Sequence, residues 1–140
     1  MDALTISPAT EEEIRFGDIG RRLRHFNYRA VGEYPETQYI RLNARDADGR
    51  VVGGIRAFVF LYWLRIEVLF VDESLRRTGI GSALLVEVER QARQLGAKNA
   101  ILDTFEWQAP DFYEKHGYVE ASRIGEYVNG YYLATMRKAL

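Results

Sequence analysis

The stretch that decides the fold is Arg-Arg-Thr-Gly-Ile-Gly-Ser at positions 76–82. It follows an apolar, β-branched segment from Leu64 to Val71, which is typical of a strand. After it, apolar residues recur every three or four positions up to Leu95, and this pattern predicts an amphipathic helix that stops at Gly96. A glycine-rich turn at a helix N-terminus is suited to bind phosphate, because unpaired backbone N–H groups and the helix dipole attract an anion there.

The spacing of the glycines argues against two common nucleotide-binding loops. No Lys follows Gly81, as a triphosphate-binding loop requires. A dinucleotide fingerprint needs a third glycine where Leu84 stands, and its first glycine directly after the strand, whereas Gly79 lies eight positions after Val71. On this motif alone, a nucleotide-binding domain of another kind and a glycine-rich helix start without a ligand both stay open.

The rest of the pattern predicts a mixed α/β domain. Strands are predicted at residues 39–45, 51–60, 64–71, 98–104, 118–128 and 131–137, with turns at Asp48-Gly49 and Asn129-Gly130. A strand, a helix and a second strand in succession predict that 64–71 and 98–104 are parallel neighbours. Within the first of these strands, alternation places Arg65, Glu67, Leu69 and Val71 on one face.

Two further helices are predicted on either side of this unit. The first runs from Glu11 to Arg29, where Gly17 and Gly20 weaken the pattern. The second begins at Pro110 and ends at Gly117, as expected for Pro at a first helical position and Gly just past the last. No linker or repeat interrupts the sequence, so we expect one domain over residues 1–140.

Composition narrows the class of protein. Of the 140 residues 47% are hydrophobic and 28% charged, which is ordinary for a globular protein, and the formal net charge of -1 argues against a nucleic-acid partner. There is no cysteine, so disulfides and thiolate nucleophiles are excluded. We see no signal sequence and no apolar run long enough for a membrane span, and a cytoplasmic protein is expected. His25 and His116 lack metal-ligand spacing, so no metal site is expected.

A second motif makes the functional prediction specific. The segment Ala-Pro-Asp-Phe-Tyr-Glu-Lys-His-Gly-Tyr at 109–118 resembles the A-x-x-x-Y-E-K-x-G-F/Y segment of the GCN5-related N-acetyltransferases, or GNAT family. The Arg-x-x-Gly-x-Gly at 76–81, after a strand that ends in Val71, resembles the acetyl-CoA signature of the same family. The order of elements matches over essentially the whole chain, and the pattern looks most like short bacterial members with no assigned acceptor. The resemblance implies a mostly antiparallel sheet with one splayed parallel pair, flanked by helices, and acetyl-CoA as co-substrate.

The resemblance also implies roles for individual residues. In such a site the backbone that binds the pantetheine arm belongs to Leu69, Phe70 and Val71. The residues that hold the pyrophosphate are Arg76, Arg77, Thr78, Gly79, Ile80, Gly81 and Ser82. Tyr113 protonates the departing thiolate. Many members carry an Asn seven residues before this tyrosine; here Glu106 stands there, so that pantetheine contact is either absent or supplied by Gln108.

The sequence gives fewer indications of how the acceptor amine is bound. We expect Glu67 to act as the general base, because a lone carboxylate in an apolar strand is costly to bury; the alternative is an ion pair with Arg65 or Arg56. Asp103 and Thr104 are candidates to line the acceptor side, with local hydrogen bonding as the alternative. Residues that suggest an aromatic, acidic pocket for a small primary amine are Glu33, Tyr34, Trp63, Tyr127 and Tyr131.

Other readings of the acetyl-CoA site stay open. The acceptor is alternatively a protein amine or an aminoacyl-tRNA, and a non-catalytic acyl-CoA sensor would use Tyr113 only structurally. The closing hairpin offers a strand edge for a possible homodimer.

Overall fold

The computed structural model describes residues 3–140 as two compact units, one up to Pro35 and one from Glu36 to Leu140. The first unit holds α1 (Glu11–Phe16) and α2 (Asp18–Val31). The sequence predicted one helix here, and that prediction is wrong, because Gly17 adopts a left-handed conformation with φ of +70° that ends α1 and starts α2. Within the described residues no helix is long and apolar enough to cross a membrane.

The second unit is a six-stranded sheet with two helices. Its strands are β1 (Gln38–Arg45), β2 (Val51–Phe60), β3 (Trp63–Val71), β4 (Asn99–Phe105), β5 (Val119–Val128) and β6 (Tyr131–Ala139). Its helices are α3 (Ile80–Gln94) and α4 (Pro110–Lys115). The sheet order is β1-β2-β3-β4-β6-β5, and all neighbours are antiparallel except β3 and β4. This architecture confirms the mixed α/β fold and the predicted parallel pair.

The apolar stripe of α3 forms the core with one face of the sheet. Its buried apolar members are Leu84, Leu85, Val88 and Ala92. The most deeply buried sheet residues that face it include Ile55, Leu64, Leu102 and Met136. Each fully buried aliphatic side chain of this kind contributes about 1.5–3 kcal/mol, so this layer fixes α3, and with it the glycine turn, against the sheet.

One charged group is buried beside this core. Glu89 on α3 accepts a hydrogen bond from the Tyr118 hydroxyl at 2.8 Å and pairs with Lys138 of β6 at 2.9 Å. Burial, together with the adjacent carboxylate, raises the pKa of Tyr118. The three groups therefore tie the helix to the last strand and to the segment that follows α4.

The parallel strands β3 and β4 pair with each other only along the first half of their length. β3 and β4 are joined by four residue pairs, the last of which sets Ile66 opposite Leu102. Both strands then continue, to Val71 and Phe105 respectively, without pairing to each other. Backbone groups on the facing edges no longer pair across the two strands beyond this point, and a V-shaped groove opens there, as expected for the splayed pair.

A β-bulge at Glu67 marks the point where the groove begins. On β2, Arg56 lies opposite Val68 and Ala57 lies opposite Ile66, so Glu67 has no partner across the ladder. An extra residue of this kind shifts the strand by one position and reverses the alternation of its faces.

The bulge overturns the predicted face of β3. Arg65 and Glu67 are exposed, whereas Leu69 is half-buried and Val71 is buried on the core side. The expectation that these four side chains share one face is therefore wrong. Glu67 instead lies on the surface of the sheet opposite α3.

Candidate active site

The first turn of α3 has no side-chain cap. Its N-cap residue, Gly79, has φ of +91°, and no side chain accepts a hydrogen bond from the turn. The first bond into the helix from this cap is the Ala83 N–H to the Gly79 carbonyl, at 3.0 Å. The N–H groups of Ile80, Gly81 and Ser82 therefore have no acceptor within the helix and point out of its N-terminus. Such a turn fits a phosphate group, which supplies the missing acceptors.

Arg76 fixes the glycine turn to the end of β3. Its Nε donates to the Val71 carbonyl at 3.0 Å, and its guanidinium carbon lies 5.3 Å from the centre of the Phe70 ring. The terminal guanidinium nitrogens bond to no residue in the described part of the chain. Arg76 therefore has both a structural contact and free donors beside the groove.

Thr78 and Arg77 shape the segment between β3 and α3. A single 3₁₀ turn covers Glu73–Leu75, and the Thr78 hydroxyl donates to the Leu75 carbonyl at 2.5 Å. Arg77 has φ of +67°, an uncommon conformation for a residue other than glycine. The hydroxyl of Thr78 is thus used to hold the turn.

The edge of β3 that faces the groove belongs to Leu69 and Val71. The Asp72 N–H donates to the Val52 carbonyl of β2 at 2.9 Å. Hydrogen-bonding direction alternates along an antiparallel strand, so the backbone groups of Phe70 also face β2, while those of Leu69 and Val71 face the groove. Of the three predicted pantetheine contacts, two are thus directed at the groove and that of Phe70 is directed away from it.

Tyr113 is buried on α4, close to other rings. It is 8% exposed, and its ring lies 5.2 Å from Phe112 and 5.8 Å from Tyr118. Burial raises the pKa of Tyr113 to about 12, so the phenol keeps its proton at neutral pH. Its hydroxyl bonds to no described residue, yet within residues 3–140 no fully buried polar side-chain atom is unpartnered. The hydroxyl therefore reaches accessible space and can donate to a bound group.

A side-chain hydrogen bond docks α4 against the glycine turn. Ser82 Oγ lies 2.9 Å from His116 Nε2, and the His116 ring packs 4.8 Å from that of Phe112. A Cβ placed on Gly81 would lie 3.4 Å from the same Phe112 ring, which is an ordinary van der Waals contact, so this ring packs directly against the turn. Sequence reasoning missed this link, because the two residues are 34 positions apart. The contact places the helix of the predicted acid directly beside the predicted phosphate turn.

Glu67 is solvent-exposed, contrary to the premise that it is buried in an apolar strand. Within residues 3–140 its carboxylate makes no ion pair or hydrogen bond. Arg56 instead donates to Asn43 Oδ1 at 2.8 Å and to the Leu42 carbonyl at 2.9 Å. The alternative of an ion pair with Arg56 or Arg65 is therefore wrong, and the carboxylate is free at the apex of the groove.

The turn after β4 is held by its own side chains. Gln108 Oε1 accepts from the Phe105 N–H at 2.8 Å, which leaves only the side-chain amide nitrogen for another contact. Glu106 Oε1 accepts from the Tyr132 N–H at 3.2 Å. The Thr104 hydroxyl lies 3.5 Å from the Ala109 N–H that it accepts from. Glu106 thus has a structural contact with β6.

The candidate acceptor residues separate into different regions. Asp103 accepts a hydrogen bond from the Thr135 hydroxyl at 2.6 Å and so is satisfied locally. Trp63 lies at the start of β3, where the Arg137 guanidinium sits 5.9 Å from its ring. Tyr127 and Tyr131 belong to the closing hairpin, near the opposite end of β4. Glu33 and Tyr34 lie in the first unit. Within residues 3–140 there is no cluster of three or more side chains able to hold a metal ion.

Comparison with known proteins places this geometry in a family. Residues 38–120 match the family model described as an acetyltransferase (GNAT) domain. Blasticidin-S acetyltransferase of Streptomyces morookaense is 36% identical over 83 residues, which are 59% of this chain and 61% of that protein. An acetyltransferase of Agrobacterium fabrum is 29% identical over 113 residues, covering 81% of this chain and 82% of the relative.

A solved structure agrees over nearly the full length. The crystal structure of an acetyltransferase from Bacillus cereus superposes with a TM-score of 0.85 at 31% identity, covering 98% of each chain. The uncapped glycine turn and the splayed strands thus occur in a protein whose fold and sequence both match acetyltransferases. The chain belongs to the GNAT family of acetyltransferases.

Proposed function

We propose that this acetyltransferase moves the acetyl group of acetyl-CoA directly to the primary amine of a small molecule. The observation that carries the proposal is the uncapped first turn of α3, against which the helix that carries Tyr113 is docked. A phosphate site and a proton donor held on adjoining elements match a substrate that has both a diphosphate and a thioester.

The chain supplies two kinds of contact to acetyl-CoA. The N–H groups of Ile80, Gly81 and Ser82 bind the pyrophosphate, and the free guanidinium nitrogens of Arg76 add charge-assisted hydrogen bonds. The groove-facing backbone of β3 pairs with the amides of the pantetheine arm much as another strand would. Three other predicted residues contribute less to cofactor binding. Arg77 adds only positive charge, whereas the Thr78 hydroxyl and the Gln108 side-chain oxygen already bond to the backbone of their own turns.

Acid and base act from opposite faces of the sheet. The acceptor ammonium gives up one proton to Glu67, which lies on the face opposite α3 and passes the proton to solvent. The neutral amine nitrogen then attacks the thioester carbonyl carbon and loses its second proton to the same carboxylate. The carbon–sulfur bond then breaks, and the thiolate takes the proton of the Tyr113 hydroxyl on the α4 side. Solvent returns a proton to the phenolate. Burial raises the pKa of Tyr113 to about 12, so the phenol is protonated at neutral pH and still carries its proton when the thiolate forms.

A small-molecule acceptor is supported by one relative and by charge. Blasticidin-S acetyltransferase is named for a small-molecule substrate and shares 36% identity over 83 residues with this chain. The formal net charge of -1 disfavours a tRNA acceptor, which would require neutralisation of many phosphates.

The test is a thiol-release assay with Tyr113→Phe. The variant should lose about 10²–10⁴-fold in kcat, because a positioned general acid contributes that much, while calorimetry shows an unchanged Kd for acetyl-CoA. Tyr39→Phe, an exposed tyrosine on β1, is the matched control and should keep full activity. Unchanged kcat in Tyr113→Phe removes the acid from the mechanism. Tight acetyl-CoA binding without turnover of polyamines, aromatic amines, amino acids, aminoglycosides or peptides would favour a non-catalytic sensor.

Glu67→Gln tests the base independently. Its rate should fall most at low pH, where the amine carries its proton and most needs an acceptor for it. Glu87→Gln removes an exposed carboxylate from α3 and should leave the pH profile as it is. A pH profile of Glu67→Gln parallel to that of the parent would assign the proton to water instead.

A further inference from the structure

Four aromatic residues form an exposed cluster at the end of β4. Phe105 and Trp107 stack at 4.5 Å with 12° between their planes, Trp107 meets Tyr131 at 5.2 Å, and Phe105 meets Tyr127 at 5.4 Å. Trp107, Tyr127 and Tyr131 are 51%, 52% and 43% exposed. We name this cluster of Phe105, Trp107, Tyr127 and Tyr131 the aromatic shelf. So much exposed ring surface in one place is typical of a binding site.

The aromatic shelf stands at the wide mouth of the groove. Phe105 is the last residue of β4, and pairing between β3 and β4 ended three positions earlier at Leu102. Gln108 closes the turn behind the shelf by bonding to the Phe105 backbone, and α4, which carries Tyr113, begins at Pro110. The turn that carries the shelf is therefore fixed by its own hydrogen bond, and Trp107 precedes the proposed acid by six positions in the chain.

The shelf and the proposed base share one face of the sheet. Thr104 is buried on the core side, so Phe105 and Asp103 point to the opposite face. Glu67 points to that same face, directly after the last pair that joins β3 to β4. An amine held on the shelf would therefore approach the groove from the side of Glu67, away from Tyr113.

Two glutamates are direct neighbours of shelf residues in the chain. Glu106 lies between two shelf residues in the chain, and Glu126, with φ of +50°, belongs to the bulged part of β5 beside Tyr127. The nearby cation is Arg123, whose guanidinium carbon sits 3.7 Å from the ring centre of Tyr132 and which already pairs with Glu120 at 2.7 Å. The charge of Arg123 is thus already paired with that of Glu120. The surface beside the rings therefore favours a positively charged ligand.

We propose that the aromatic shelf recognises the acceptor, and that the acceptor is an arylalkyl amine, which binds as its ammonium. This inference rests on the proposed function and names the substrate class of that site. The flat group of the acceptor stacks on Trp107 and Tyr131, and the ring faces and carboxylates attract its ammonium. The ammonium then gives up a proton on the Glu67 side of the groove before the nitrogen attacks.

Binding is tested separately from turnover by fluorescence. The sequence has two tryptophans, so Trp63→Phe leaves Trp107 as the single reporter. Titration with phenethyltrimethylammonium, which cannot be acetylated, should change the Trp107 emission and give a Kd about tenfold lower than that of hexyltrimethylammonium, matched in charge but lacking a ring. Adding Tyr131→Ala to Trp63→Phe should abolish the difference, whereas adding Tyr39→Ala should preserve it.

Kinetics link the site to the reaction. With phenethylamine as acceptor, Tyr131→Ala should raise KM about tenfold with little change in kcat and no change in the Kd of acetyl-CoA. Equal Kd values for the two quaternary ammonium probes would overturn the shelf proposal even if other amines are acetylated. A ring-selective Kd without turnover of any amine would support the shelf and refute the proposed function instead. Sedimentation that shows a dimer lost in Tyr131→Ala, with probe binding unchanged, would assign the shelf to a second copy of the chain.

Discussion

Replacing Glu89 with leucine should cost this small protein a large part of its stability. The carboxylate is 4% exposed and is the partner of both the Tyr118 hydroxyl and the Lys138 ammonium. Leaving a buried hydroxyl unpaired costs about 1–3 kcal/mol, and removing one member of a buried ion pair costs about 3–5 kcal/mol. The Lys138 side chain is 22% exposed and can turn toward water, which lowers the second contribution. We therefore expect a loss of about 3 kcal/mol in the free energy of unfolding.

The assay is thermal and urea unfolding followed by circular dichroism. A loss of this size should lower the Tm by about 12 °C, at about 4 °C per kcal/mol for a chain of this length, and should lower the urea midpoint at constant m. Glu87→Leu, at an exposed carboxylate paired with Arg90 on the same helix, is the control and should scarcely move the Tm.

A triple variant separates the buried charge from the loss of volume. Glu89→Leu, Tyr118→Phe and Lys138→Met together remove all three polar groups and keep apolar bulk, so most of the stability should return. The reasoning is refuted if Glu89→Leu costs less than about 1 kcal/mol, which is the net value of an ordinary hydrogen bond. It is also refuted if the triple variant is as unstable as the single one.

Three further predictions concern backbone and ionisation. Gly20→Ala in α2 should raise helix stability by about 1 kcal/mol, because nothing lies within 4 Å of the added Cβ; helical circular dichroism during melting measures it. Gly53→Ala should lower the Tm, because its Cβ would lie 2.9 Å from the Phe70 carbonyl oxygen, and a Tm equal to that of the parent would contradict this. The pKa of Tyr113 is raised to about 12, above the usual value of about 10, so its contribution to stability is complete below pH 10 and is lost as pH rises toward 12. Urea unfolding of Tyr113→Phe should accordingly show a smaller alkaline loss than the parent.

Periodicity located most elements because each has one apolar face or a clear turn. The long helix, the parallel strand after it, the Pro110 helix and both predicted hairpins are confirmed. The first helix was predicted as one piece because Gly17 is tolerated by an amphipathic pattern, whereas its left-handed φ is a property of the folded backbone. Local sequence thus predicted where helices and strands occur better than it predicted whether a helix is interrupted.

The bulge at Glu67 was beyond the reach of sequence patterns. Around it β3 has apolar residues at both odd and even positions, so either alternation fits, and only pairing with β2 reveals the extra residue. The Ser82–His116 bond and the Glu89–Lys138 pair were missed for the same reason, since each joins segments far apart in the chain. Trp107 was overlooked because it lies in a turn, where no periodicity marks it. For the phosphate turn and Tyr113, the two motifs supplied the assignment, and their roles in binding and catalysis stay predictions.

The short parallel seam between β3 and β4 has a consequence for motion. Four residue pairs join the three-stranded half that ends in β3 to the three-stranded half that begins with β4, whereas the other neighbours pair over longer stretches. We therefore expect the sheet to open first between β3 and β4, in a partial unfolding that separates one half from the other. A pantetheine arm bound in the groove would bridge the two halves and restrain this opening. Amide hydrogen exchange at Leu69 and Val71 should therefore slow most when acetyl-CoA is added.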